Sequence, residues 1–152
     1  MSESQEVARP VADGKWAGWL TWVGRLDGTF INVLGPSYFR PETPSRATVA
    51  LETAPHHRNP VDSLHGGMLA AFADHAYFAA LVAIGKPGQV DGVTVDLTMQ
   101  YLGGGQIGPD LMAEVDLLQE TGRMLFMRML MTQEGRAVAA STATIRKVAI
   151  AR

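Results

Sequence analysis

The stretch His65-Gly66-Gly67-Met-Leu-Ala-Ala-Phe-Ala-Asp74 decides how this chain folds. From residue 68 to residue 84 the sequence is almost wholly apolar, rich in alanine and free of proline and glycine. This run is too long for a buried strand, so it predicts a buried helix. Because its sides are all apolar, the helix should be surrounded by protein. An ionised Asp74 is costly to bury there without a partner, which indicates a functional role for it. The alternative is an ordinary helix aspartate that is exposed through a kink or paired with an arginine.

The two glycines before the helix indicate where a reacting group would bind. Gly66 and Gly67 have no side chains, so they leave backbone N–H groups uncovered at a helix end that carries partial positive charge. Such a site suits an oxyanion or a polarised carbonyl, which Asp74 could attack directly or through an activated water. The alternative is that the glycines only allow close packing at the start of the helix.

The distance between these groups bears on oligomeric state. Gly67 and Asp74 are two turns apart, on roughly one face of the helix but ~10 Å apart along its axis. One carbonyl cannot contact both within one chain, whereas two antiparallel copies would bring Gly67 of one near Asp74 of the other. We therefore expect a homodimer with shared active sites, paired edge to edge through the strand at 92–102.

The remainder of the chain predicts strands around this helix. Residues 1–15 are expected to be a flexible tail, and residues 16–152 a single domain. One long helix with about five strands forms an α+β pair of layers. The predicted strands alternate in polarity or are bounded by turn residues, and they lie at 46–52, 92–102, 110–119, 123–133 and 136–148.

Three tryptophans recur at every third position, Trp16, Trp19 and Trp22. This spacing makes one side of a short helix or turn strongly apolar. Such a segment would cover the core or, alternatively, form a wall of a substrate pocket.

Composition limits the classes of function. A net charge of −2 gives no electrostatic reason to expect a nucleic acid or a membrane as partner. The absence of cysteine excludes a thiol nucleophile and thiolate-bound metal, and the four histidines lack metal-site spacing, so we expect no metal. The N-terminal residues are acidic and lack the apolar segment of a secretory signal, so the expected location is the cytoplasm.

These residues together resemble a known family. Asn59 lies six residues before His65, and Asp74 lies nine residues after it. This pattern is similar to that of the hot-dog-fold acyl-CoA thioesterases, in the subgroup of the phenylacetate-pathway (PaaI-like) thioesterase and the thioesterase-superfamily members. The resemblance continues through Gly92-Val-Thr94-Val-Asp96-Leu-Thr-Met-Gln-Tyr101 and covers roughly residues 30–147. It implies the hot-dog fold, in which a mainly antiparallel sheet of five to six strands wraps one long central helix.

The resemblance also implies a reaction, the hydrolysis of an acyl-CoA thioester to a carboxylic acid and free CoA without metal or organic cofactor. Asp74 would act as general base or nucleophile, and the Gly67 N–H would polarise the carbonyl. Asn59 and Thr94 would position the reacting groups, with the Thr94 hydroxyl holding the carboxylate or the water, while His65 would cap the helix or fix the loop. The alternatives are that Thr94 is simply a good strand former and that Asn59 is an ordinary loop residue before Pro60. The expected assembly is a homodimer or a dimer of dimers.

Coenzyme A has an expected place on the sheet. In relatives it lies along the hairpin that corresponds to residues 120–123, with a basic residue on the last strand. Arg123 and Arg146 match these positions, and Gly122 and Met124 flank Arg123. The alternative is that both arginines are ordinary solvated surface residues.

Two other functions are compatible with the same fold. A non-catalytic acyl-CoA sensor usually carries a helix-turn-helix and lacks the carboxylate, and neither departure occurs in this sequence. A hot-dog hydratase relies on a histidine and an acid in a different motif, which the sequence lacks.

Overall fold

The computed structural model describes residues 6–24 and 27–148, in which one antiparallel sheet curves around one long helix. The helices are α1 (Ile31–Leu34) and α2 (Gly66–Ala83), and short 3-10 turns occur at Pro55–His57 and Pro87–Gln89. The strands are β1 (Ala8–Pro10), β2 (Leu20–Trp22), β3 (Ser37–Thr43), β4 (Arg46–Leu51), β5 (Val93–Tyr101), β6 (Leu111–Glu120), β7 (Met124–Gln133) and β8 (Arg136–Arg146).

The sheet order is β1-β2-β3-β4-β6-β7-β8-β5. Helix α2 connects β4 to β5 and contacts β3, β4, β5 and β6. This arrangement confirms the predicted hot-dog fold, although the sheet has eight strands where five to six were expected. The strands β1, β2 and β3 were missed because β1 and β2 span three residues each, too few to show alternation, and β3 contains a proline.

The prediction of a flexible tail through residue 15 is wrong for residues 8–10. These residues form β1, which pairs with β2 in the register Ala8 to Trp22. The strand is stabilised by apolar side chains of Val7, Ala8 and Leu20 that pack against the core. Residues 1–5 of the predicted tail lie outside the described residues.

Alanine lets the sheet approach α2 closely. Ala73, Ala76 and Ala79 are fully buried, and Phe72 and Tyr77 fill the space between them and the strands. The helix is long and apolar enough to cross a membrane by length and composition alone, but 56% of it is buried inside the protein. Core packing accounts for its apolar character.

One stripe of α2 departs from the prediction of a helix surrounded on all sides. Gly67 and Asp74 are exposed in the single chain, and Ala71 and Phe78 between and beyond them are only partly buried. The sheet covers the other sides of the helix and leaves this stripe open. Asp74 therefore meets solvent in the single chain and is not a buried unpaired charge.

The strand β5 lies at one end of the sheet order, and among the described residues it pairs only with β8. Its exposed side chains include Val93, Val95 and Tyr101, with exposed fractions of 48%, 52% and 56%. A long edge strand with exposed apolar side chains is unusual in a protein that works as a monomer.

Candidate active site

The carboxylate of Asp74 is held by a neighbouring strand. The Thr94 hydroxyl donates a hydrogen bond to Asp74 Oδ1 over 2.6 Å. A bulge at Val95 makes this contact possible, because the register with β8 shifts between Thr94 and Asp96. A bulge reverses which residues face the helix, so Thr94 shares a face with Leu97 further along the strand. The structure thus brings two of the predicted site residues together.

His65 caps the start of α2, as its predicted structural role requires. Its Nδ1 accepts a hydrogen bond from the Gly67 N–H over 2.9 Å, and its carbonyl accepts from the Leu69 N–H over 3.0 Å. The expectation that the Gly67 N–H is uncovered is therefore wrong for the chain without substrate. The Gly67 N–H lies at the predicted place, but it already donates its hydrogen bond to the His65 side chain.

Each glycine of the motif makes room for a ring. A Cβ atom at Gly66 would lie 3.3 Å from the Tyr101 ring, and one at Gly67 would lie 3.1 Å from the His65 ring. Both distances are shorter than a comfortable van der Waals contact. Close packing, the alternative explanation of the two glycines, thus occurs at both positions. The contact with Tyr101 also includes a hydrogen bond, from the Tyr101 hydroxyl to the Gly66 carbonyl over 2.9 Å.

The side chain of Asn59 is used within its own loop. Its Oδ1 accepts from the N–H groups of Val61 and Ser63 over 3.0 and 3.1 Å, and its Nδ2 donates to Ser63 Oγ over 2.9 Å. This is the local side-chain-to-backbone bonding that asparagine favours in turns. The structure does not bring Asn59 into the cavity that Asp74 lines.

A buried histidine that sequence analysis did not assign anchors the same loop. His57 Nδ1 accepts from the Ala54 N–H over 3.0 Å, so the proton lies on Nε2, which donates to the Leu34 carbonyl over 3.0 Å. Burial lowers the pKa of His57, which favours this neutral form. The His57 carbonyl accepts from the His65 N–H over 2.8 Å, so the cap of α2 rests on a fixed frame.

An apolar cavity of about 280 Å³ opens beside Asp74. A second cavity of about 290 Å³ lies at the start of α2, where Gly67 and Met68 line it. The two cavities share Phe30 and Leu34 in their walls, so they adjoin. The open side of α2 is thus lined by apolar cavities from the helix start to the carboxylate. The remaining walls of the first cavity include Trp22, Ile31, Ala71, His75, Phe78 and Val90.

The floor of this cavity contains a polar cluster. The Trp22 indole N–H donates to His75 Nε2 over 3.1 Å, and Ser37 Oγ lies 2.8 Å from the same nitrogen. Because indole can only donate, Nε2 is the unprotonated nitrogen and Nδ1 carries the proton. Burial lowers the pKa of His75 to about 4, against the opposing effect of the Asp74 carboxylate, so the ring is neutral near pH 7.

The tryptophans do not lie on one side of a single helix or turn. Trp22 belongs to β2 and forms a wall of the cavity, one of the two predicted roles. Trp16 is 8% exposed, stacks on Tyr38 and donates to Glu52 over 2.9 Å. It therefore has the other predicted role, which is to cover the core.

The predicted coenzyme A residues line a separate open cavity of about 550 Å³. In the sheet Arg146 lies between Val93 on one side and Met124 on the other. Val93 directly precedes Thr94, so this cavity and the Asp74 site are neighbours along β5. The structure brings together all four predicted residues, and the walls of the cavity comprise Val93, Gly122, Arg123, Met124, Arg146, Lys147 and Val148.

No group of three or more histidine, aspartate or glutamate side chains within residues 6–24 and 27–148 could hold a metal ion. The four histidines instead bond to groups of the protein itself. His56 and His57 bond to backbone carbonyls of α1, His65 to the Gly67 N–H, and His75 to Trp22.

Comparisons with known proteins show which sequences and folds this chain is similar to. Human acyl-coenzyme A thioesterase 13 is 26% identical over 99 residues, which are 64% of this chain and 68% of the relative. A mutant of the phenylacetic acid degradation protein PaaI from Thermus thermophilus superposes with a TM-score of 0.66 at 27% identity, over 78% of this chain and 98% of that one. A hypothetical thioesterase from Streptococcus pneumoniae, solved with coenzyme A, gives 0.69 at 20% identity, over 78% and 90%.

The family description "Thioesterase superfamily" matches residues 62–140, which contain the start of α2, Asp74, Thr94 and the strands β5 to β7. The match covers more than half of the chain and confirms the resemblance found in the sequence. The chain belongs to the Thioesterase superfamily and is a thioester hydrolase.

Proposed function

We propose that this thioester hydrolase acts on acyl-CoA, releasing a carboxylic acid and free CoA. The observation that carries the proposal is the Asp74 carboxylate, oriented by Thr94 at 2.6 Å and exposed to an apolar cavity. A human relative is named as an acyl-coenzyme A thioesterase, and a structural neighbour was solved with coenzyme A.

Asp74 supplies the attacking group in this proposal. It either takes a proton from a water that attacks the acyl carbon or attacks that carbon itself to form an anhydride that water then hydrolyses. In both routes the carbon–sulfur bond breaks, the thiolate of CoA leaves, and the proton lost by the attacking water completes the thiol. The Thr94 bond leaves the second carboxylate oxygen available for the reaction.

The start of α2 supplies the group that stabilises negative charge. The thioester oxygen would bind the Gly67 N–H, where the helix end adds partial positive charge. Since His65 Nδ1 occupies this donor, the substrate must share the N–H or displace the ring. His65 is exposed, so its side chain can turn into water without opening the core.

The active unit is proposed to be a homodimer with shared sites. Gly67 and Asp74 lie ~10 Å apart along one helix, too far for one carbonyl to touch both. Both lie on the open stripe of α2, and β5 beside that stripe has a free edge with exposed apolar side chains. Pairing two β5 strands around a two-fold axis would cover the stripe and the edge together, and two such dimers could assemble further.

The basic cavity beside β5 is the proposed place for the phosphates of CoA. Arg123 and Arg146 line it, and neither forms an ion pair with a described residue. Lys147 is less available, because it bonds to Glu120 over 2.5 Å. The pantetheine arm would run from these arginines past Val93 to the thioester beside Thr94.

A panel of acyl-CoAs tests the proposal by thiol release. The apolar cavity of about 280 Å³ is near twice the ~150 Å³ that binds benzene, so an acyl group of one ring or a medium chain should react best. The panel is run on the wild type, on Asp74→Asn and on Asp13→Asn, the same change at an exposed site outside the cavities. Binding of acyl-CoA without thiol release would favour the sensor alternative.

A further inference from the structure

The end of β5 carries an aromatic residue whose contacts reach the start of α2. Tyr101 is the last residue of β5, and its ring lies against Gly66 at a distance that leaves no room for a side chain there. Its hydroxyl donates to the Gly66 carbonyl over 2.9 Å. We infer that Tyr101 is a positioning residue for the backbone donor of the active site. This inference rests on the proposed function.

The bond acts on the donor because the two groups share one peptide unit. The carbonyl of Gly66 and the N–H of Gly67 belong to the same planar amide, so a bond to the oxygen also fixes the direction of the N–H. The carbonyl oxygen has two lone pairs and can accept from Tyr101 while it accepts a helical hydrogen bond. At the other end, His65 Nδ1 accepts from the N–H over 2.9 Å. The amide is therefore held from both sides in the absence of substrate.

The Tyr101 bond also strengthens the donor. A hydrogen bond to an amide oxygen draws electron density from the nitrogen, and hydrogen bonds in such a chain reinforce one another. When the substrate replaces His65 Nδ1, its carbonyl oxygen receives a donor that is already oriented and polarised. The oxygen gains negative charge as the acyl carbon is attacked, so the benefit is larger in the transition state than in the bound substrate.

The same contact gives a reason for the pair of glycines. Gly67 supplies the donor, whereas Gly66 is small because the ring of Tyr101 packs on it. Packing alone would need only the ring of Tyr101. The hydroxyl adds a hydrogen bond to the Gly66 carbonyl, which belongs to the same amide as the Gly67 N–H. The motif at the helix start and the end of β5, 35 residues away, form one unit.

Tyr101→Phe tests the inference, because it removes the hydroxyl and keeps the ring over Gly66. We expect kcat to fall about three- to tenfold, the effect of losing one net hydrogen bond, with KM changed less than about twofold. Tyr38→Phe is the matched control, since Tyr38 stacks on Trp16 outside the cavities and should leave kcat unchanged. The Gly67 amide proton should also shift in 1H–15N spectra of Tyr101→Phe, and not in those of Tyr38→Phe.

Several outcomes would overturn this role. Wild-type kcat in Tyr101→Phe, a change confined to KM or to the melting temperature, or an unmoved Gly67 amide would each show that the hydroxyl does not act through the donor. If the wild type hydrolyses acyl-CoA and Tyr101→Phe equals it, only this inference fails. A wild type that turns over no acyl-CoA overturns the proposed function and the inference with it.

Discussion

The open stripe of α2 has two ends, the helix start at Gly67 and the carboxylate of Asp74, and they differ in how their polar groups are held. At the start of α2 the Gly67 N–H bonds to His65 and the Gly66 carbonyl to Tyr101, and the supporting loop is closed by Asn59 and His57. At Asp74, by contrast, the Thr94 hydroxyl is the one hydrogen-bond donor within residues 6–24 and 27–148, and the carboxylate otherwise faces solvent and a cavity. The donor end is fixed before substrate arrives, while the carboxylate end keeps a free oxygen for the reaction.

The largest expected effect breaks the carboxylate end. Asp74→Asn should lower kcat by about 10²- to 10⁴-fold, because the amide cannot serve as base or nucleophile. Since Asp74 is exposed and Asn keeps the bond from Thr94, the melting temperature should stay near that of the wild type. Melting and kcat are measured side by side. A folded variant with near wild-type turnover would contradict the role of Asp74.

The second prediction disturbs the donor end. In Gly67→Ala the new Cβ would lie 3.1 Å from the His65 ring, so the cap and the donor must shift. We expect kcat to fall about 10- to 100-fold and more than substrate affinity, as small misplacements of catalytic groups do. A change in KM alone would make the Gly67 N–H a binding contact and not a transition-state one.

Combining these two variants tests whether the ends belong to different chains. Asp74→Asn and Gly67→Ala chains are refolded together, and mixed dimers are isolated. With shared sites, each mixed dimer has one site with both defects and one with neither, so about half the wild-type activity per dimer should return. Mixed dimers that form but recover no activity would place both ends of the site in a single chain.

The next prediction concerns the hydrogen bond between Thr94 and Asp74. Thr94→Val removes the 2.6 Å bond and keeps the β-branched shape, so kcat should fall about tenfold, as expected for a hydrogen bond to a charged group. Thr98→Val is the control, because Thr98 lies on the exposed face of the same strand. Equal kcat for the two variants would mean that Thr94 is only a good strand former.

Sequence patterns predicted what depends on neighbours in the chain. The helix over 68–84 and the strands at 92–102 and 123–133 agree with the structure within about two residues, because the length of an apolar run and the turn residues that bound a segment are local signals. The contact of Thr94 with Asp74 followed from the family resemblance. The local bonding of Asn59 was also open to prediction, since asparagine before Pro60 commonly bonds to its own loop.

The contacts that the sequence could not predict join residues far apart. Tyr101 and Gly66 are 35 residues apart, and Trp22 and His75 are 53 apart. Such contacts depend on how the sheet curves and on the bulge at Val95, which no local pattern encodes. The neutral state of His75 depends on the same long-range packing, because burial lowers its pKa more than the neighbouring Asp74 carboxylate raises it.

The last prediction concerns the floor of the cavity beside Asp74, where we expect a change in stability and the smallest effect on turnover near pH 7. Burial lowers the pKa of His75 to about 4 from the ordinary 6.5, so the folded protein binds a proton there less readily than the unfolded chain. The stabilisation of the folded protein by neutral His75 is therefore complete above pH 6.5, and it is lost as the pH falls from 6.5 to about 4. At about 1.4 kcal/mol per pH unit, the loss reaches about 3 kcal/mol in the free energy of unfolding.

His75→Gln removes the titrating group, while the amide oxygen can still accept from Trp22. Urea unfolding at pH 7 and pH 4 gives the difference between wild type and variant at each pH, which cancels contributions from His57 and the carboxylates. From pH 7 to pH 4 the wild type should lose about 3 kcal/mol more of its free energy of unfolding than His75→Gln loses. Parallel losses in both proteins would mean that His75 is already accessible to protons, and that the floor of the cavity is as open as the carboxylate above it.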